Sequence, residues 1–88
     1  MTDQSDKKTD LEKSRDIISQ LKEMRHYSKA NIEKLTEFWL LLDEEMKQKE
    51  TANKIEVLLS HQNAFHESIE SLVSDYEMEC NRIENESS

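Results

Sequence analysis

Lys47-Gln48-Lys49-Glu50-Thr51-Ala52-Asn53-Lys54 holds no large apolar residue, and it separates two apolar stripes that do not share a phase. Upstream, one heptad column runs Leu11, Ile18, Arg25, Ile32, Trp39, Met46. A second runs Ser14, Leu21, Ser28, Leu35, Leu42, and eight of the eleven positions are apolar. Apolar residues recurring every three and four positions mark one face of a helix, and a sustained seven-residue repeat marks a coiled-coil-like seam. Downstream the stripe is Ile55, Leu58, Gln62, Phe65, Ile69, Leu72, Tyr76, Glu79, Ile83, apolar at seven of nine, with Leu59, Val73 and Cys80 widening the face. Steps of seven from Met46 reach Asn53 and not Ile55, so the seam slips by two residues inside the polar segment.

The slip predicts a chain reversal there: an all-α, long two-helix antiparallel hairpin whose apolar surface completes a multi-helix bundle with other chains. Its parts are a disordered polar stretch 1–8, a helix over about 9–49, a turn at about 50–53, a helix over about 53–84, and a frayed end at 85–88. Thr9 with Glu12 three residues on forms a capping-box pattern at the first start, and Asn53 with Glu56 repeats it at the second. The rival is one unbroken helix. The pairs Glu45–Lys49 and Glu50–Lys54 run through the proposed turn at favourable i,i+4 spacing, and of these residues only Asn53 suits a left-handed conformation.

Not one of the 88 residues is glycine or proline. A chain without the residues that make sharp turns is built of long helices with few reversals. So small a chain has a marginal core unless a disulfide, a metal or a partner adds stability. Cys80 is the sole cysteine, which rules out an intrachain disulfide, and association with other chains remains.

Charge divides unevenly. Residues 1–54 carry 11 basic and 12 acidic side chains, while 55–88 carry Arg82 against eight acidic ones. An acidic C-terminal third repels phosphates, so no nucleic acid partner is expected. No apolar run approaches the ~20 residues that span a bilayer, so no membrane span is expected, and the polar N-terminus points to an intracellular protein, cytoplasmic or nuclear.

Phe38-Trp39-Leu40-Leu41-Leu42 is the densest apolar feature. Five large apolar residues in succession occupy every side of a helical turn, and one seam uses only two of them. Interface candidates are Leu35, Phe38, Trp39, Leu42 and Met46 in the first helix, with Leu58, Phe65, Ile69, Leu72 and Tyr76 in the second. Trp39 is the natural anchor. The polar interruption at Arg25 and Ser28 either fixes register or is a tolerance near solvent.

No catalytic, cofactor or metal site is expected. His66-Glu67-Ser68-Ile69-Glu70 resembles the zinc helix His-Glu-x-x-His, but Glu70 stands where the second histidine belongs. His61 and His66 are placed at the solvent edge of the second stripe, and Cys80 reads as an inert buried thiol. The expected function is a non-enzymatic interaction subunit or adaptor that assembles by helix packing, with other helical chains as partners in a hetero-complex or a homo-oligomer. The alternative is a small acidic regulatory binder, an inhibitor or chaperone, docking on a basic surface.

Overall fold

A computed structural model describes residues 9–87; the expectation for residues 1–8 lies outside the described residues. Two long helices, α1 (Asp10–Leu40) and α2 (Lys49–Ser87), pack side by side as an antiparallel hairpin. The molecule is a thin ribbon with extents of 63 × 25 × 14 Å. No strand occurs among the described residues.

The start of α1 follows from its first four residues. Thr9 is extended, its hydroxyl accepts from the Glu12 N–H at 3.1 Å, and the Glu12 carboxylate accepts from the Thr9 N–H at 3.0 Å. Two N–H groups that a helix start leaves without partners are thereby satisfied, and Asp10 adds negative charge at the positive end of the helix dipole.

The reversal comes earlier than the segment 50–53. Beyond Leu40 the helix widens into a π-turn at Leu41–Glu45, where the Met46 N–H bonds the Leu41 carbonyl at 2.9 Å. The Gln48 N–H then reaches back to the Leu42 carbonyl at 2.8 Å. Lys47 takes the left-handed conformation at φ 58°, a place a lysine fills at a cost of roughly 1–2 kcal/mol. Lys49 is already helical, and its ammonium bridges back to Asp43 at 2.9 Å instead of pairing with Glu45.

The capping box at Asn53 and Glu56 does not form. Asn53 lies inside α2, and the Glu56 carboxylate accepts the indole N–H of Trp39 at 2.8 Å. The physical reason is Ala52, which is fully buried beside the turn. Only a side chain as small as alanine lets α2 begin this close to α1, and Lys49, Glu50 and Ala52 all favour helix. At the far end α2 continues to Ser87 where fraying from 85 was expected.

Both heptad columns of α1 turn inward. Leu11, Ser14, Ile18, Leu21, Arg25, Ser28, Ile32, Leu35, Trp39 and Leu42 are all buried or half-buried; Met46, just past the π-turn, is exposed. The inward face of α2 is rotated from the expected stripe. Ile55, Gln62, Ile69 and Tyr76 face the seam as read, but the second inward column is Ala52, Leu59, His66, Val73 and Cys80. Leu58, Phe65 and Leu72 lie outside it. Ile18, Ile69, Val73 and Cys80 form the buried core, with Leu11, Leu21 and Tyr76 against it.

Candidate helix-docking surface

Register is set by polar contacts across the seam. Tyr76 Oη donates to Ser14 Oγ at 2.7 Å, and Ser28 Oγ lies 2.5 Å from His66 Nδ1. Ser28 Oγ also lies 2.9 Å from the Arg25 carbonyl, which can only accept. The hydroxyl has one proton, and both bonds form only if it goes to that carbonyl while His66 Nδ1–H donates to Oγ. His66 is therefore a member of the seam, contrary to its expected place at the solvent edge. The polar layer at Arg25 and Ser28 is a hydrogen-bonded pairing of the two helices.

Glu70 approaches His66 Nε2 at 3.5 Å, so serine, histidine and carboxylate stand in the order of a catalytic triad. Ser28 is only 2% exposed and its proton is held by a backbone carbonyl. A nucleophile needs access to its substrate, and this hydroxyl has none. Cys80, 1% exposed, is closed off in the same way. Among the described residues no three His, Cys, Asp or Glu side chains gather as a metal site, and no helix is long and apolar enough to cross a membrane.

The two flanks of the seam differ in character. On one, the basic α1 column Arg15, Lys22, Lys29 faces the acidic α2 column Glu70, Glu77, Glu84 in the same register. Arg15 bonds Glu84 at 2.7 Å and Asn81 at 3.1 Å, and Lys22 pairs with Glu77 at 2.6 Å. The hydrogen bond from Lys22 holds the Glu77 carboxyl below its ordinary range, helped by the charges of Lys22, Arg25 and Arg15 against a smaller effect of burial. Near the end of α2, Arg82 clasps Glu79 and Glu86; Glu79 is held low by its hydrogen bond to Arg82, whose own pKa those two carboxylates push up.

The opposite flank is apolar and open. Ile17, Met24 and Phe38 of α1 stand at seven- and fourteen-residue spacings, and across from them are Leu58, Phe65 and Leu72 of α2. All six are between 42% and 55% exposed. Toward the turn a groove of about 790 Å³ lies between the two rows, with Leu35, Phe38, Leu58 and Phe65 as its apolar walls. Leu40, Leu41 and Met46 extend this apolar surface around the turn end of α1.

The ten interface candidates therefore separate into two groups. Leu35, Trp39, Leu42, Ile69 and Tyr76 belong to the seam, while Phe38, Met46, Leu58, Phe65 and Leu72 are exposed. Leu35, Phe38, Leu58 and Phe65 come together at the groove. Ile17 and Met24 escaped the sequence reading because each sits next to a seam column, where periodicity alone reads a neighbour as its edge. The signal available was their own seven-residue spacing with Phe38.

Comparison with family models, characterised proteins and solved structures gives no match to this chain.

Proposed function

We propose that this chain is a non-enzymatic interaction subunit or adaptor that assembles with other helical chains by coiled-coil packing, inside the cell. One observation carries the reading: the hairpin leaves its larger apolar column outside. Rotating α2 toward Leu58, Phe65 and Leu72 would trade His66 and Val73 for the bulkier apolar Phe65 and Leu72 in the seam, with Glu79 in place of Cys80 near its end. Burying a leucine or phenylalanine stabilises by ~1.5–3 kcal/mol, whereas exposed ion pairs such as Lys22–Glu77 or Arg15–Glu84, screened by solvent, contribute much less. Ion pairs therefore do not account for the rotation. An apolar column reserved for another helix does, and contiguous apolar surface of this kind marks interaction sites.

The acidic-binder reading has less support. Glu77 and Glu84 of the acidic helix face Lys22 and Arg15 of the same chain, which leaves them poorly placed for a basic target.

Site-specific photocrosslinking in the cells that make the protein tests the proposal. A photoreactive residue at Phe65 is expected to trap another polypeptide, while one at Ala30, on the exposed back of α1, traps none. Equal products at the two positions would contradict the assignment.

A further inference from the structure

The groove on the open flank has a rim whose charge runs against the rest of the molecule. The chain as a whole carries −8, and the back of α1 presents a ridge of carboxylates at Asp16, Glu23, Glu37 and Glu44. Beside the groove the charges are instead Lys34 and Lys54; farther along the flank Lys13 stands against Asp75, Arg82 is outnumbered by Glu79 and Glu86, and Asp10 and Glu45 continue the column of Ile17, Met24 and Phe38. Lys34 lines the groove itself, and Lys54 lies one helical turn before Leu58. Neither lysine makes an ion pair among the described residues.

A second copy of the chain is a poor occupant for this face. Twofold pairing brings one rim against an identical rim. With the axis at the midpoint of the apolar ladder, one arrangement sets Lys34 against Gln20 and Lys54 against Arg82 of the other copy. The other arrangement sets Lys34 against His61 and Lys54 against Leu41. Neither sets a carboxylate free of its own ion pair opposite either lysine, since Glu79 and Glu86 are engaged by Arg82. A helix with acidic flanks supplies one to each, and charge matching of this kind selects partners and suppresses wrong ones.

The apolar ladder also fixes a length. From Ile17 to Phe38 is a rise of about 32 Å, which a helix of about 21 residues, or three heptads, matches. We propose that the groove receives a single amphipathic helix of another chain, about three heptads long, as the third helix of a bundle. Its apolar stripe meets Phe38, Leu58 and Phe65, and its flanking carboxylates face Lys34 and Lys54. This inference rests on the association reading above and names the chemistry of the partner.

The test uses the full chain and two synthetic three-heptad peptides with the same leucine seam, one flanked by glutamate and one by lysine, titrated by fluorescence anisotropy at low salt. The glutamate peptide is expected to bind about ten-fold more tightly, as two or three charge pairs warrant. The Lys34→Glu/Lys54→Glu variant, which leaves the packing untouched, is expected to invert that preference. Equal affinities, both lost in a Phe65→Ser chain of unchanged helicity, would overturn the acidic partner and leave the groove as a docking surface. Binding of neither peptide would overturn both readings. A dimer of the chain alone that Phe65→Ser abolishes would give the groove to a second copy, overturning this inference while the association reading stands.

Discussion

Among the described residues, Ser28 and His66 meet at the only layer of the seam where two polar side chains from opposite helices are joined with one of them wholly enclosed. A satisfied polar pair inside a seam adds little net stability, but removing one partner leaves the other without a bond. Ser28→Ala is accordingly expected to cost about 1–3 kcal/mol in a urea melt, and Ser28→Ala/His66→Leu to recover most of that loss. A double variant as unstable as the single one would show that the layer acts by shape. The ion pair Lys22–Glu77 makes a different prediction, in pH. The Glu77 carboxyl is held below the usual carboxylate range in the folded chain by its hydrogen bond from Lys22. A depressed carboxyl contributes stability above its unfolded pKa and loses that contribution as pH falls through the folded one. Lys22→Gln should therefore lower the melting temperature more at pH 7 than at pH 3, since the contribution of the pair fades as Glu77 takes up its proton toward acid. The same loss at both pH values would mean that Lys22 acts through its methylene stem.

At the scale of elements, the turn is where local preference and tertiary packing disagree. Lys47 holds a conformation suited to glycine, with a π-turn before it and a salt bridge from Lys49 to Asp43 across it. Lys47→Gly is expected to stabilise the chain by about 0.5–1 kcal/mol, after the extra freedom of glycine in the unfolded state is subtracted. That raises the melting temperature by a few degrees, and a lower one would place the reversal elsewhere. The element pattern explains what the sequence disclosed. The α1 seam was legible through Leu42 because its two columns keep the heptad without a slip, with the basic column Arg15, Lys22, Lys29 on one side and, on the other, a column that Asn31 interrupts between Met24 and Phe38. The rotation of α2 was not, since the column Ile55, Ile69, Tyr76 has apolar neighbours on both sides: Leu58, Phe65, Leu72 on one and Leu59, Val73, Cys80 on the other. Periodicity cannot choose between them. The turn was legible only as an interval, because the phase slip names a segment and the small side chain of Ala52 decides where in it the second helix begins.

On the scale of the whole molecule, the hairpin is an incomplete bundle with one flank closed by ion pairs and the other left apolar. A two-helix chain of this size is marginal alone, and a third helix in the groove raises its stability by binding only the folded form. The central claim is that Leu58, Phe65 and Leu72 are free of the seam in the isolated chain. Two adjacent residues separate this from the opposite rotation: Leu72 is 48% exposed and Val73 1%. The deciding measurement is equilibrium urea unfolding of the isolated chain carrying Leu72→Gln or Val73→Gln. A glutamine enclosed without partners costs about 3 kcal/mol through desolvation and overpacking, whereas one in half-exposed surface costs about 1 kcal/mol or less. Val73→Gln is expected to unfold the chain or come close to it, with Leu72→Gln remaining near wild type. The reverse order would put Leu72 in the seam and remove the exposed column Leu58, Phe65, Leu72 on which the docking surface rests.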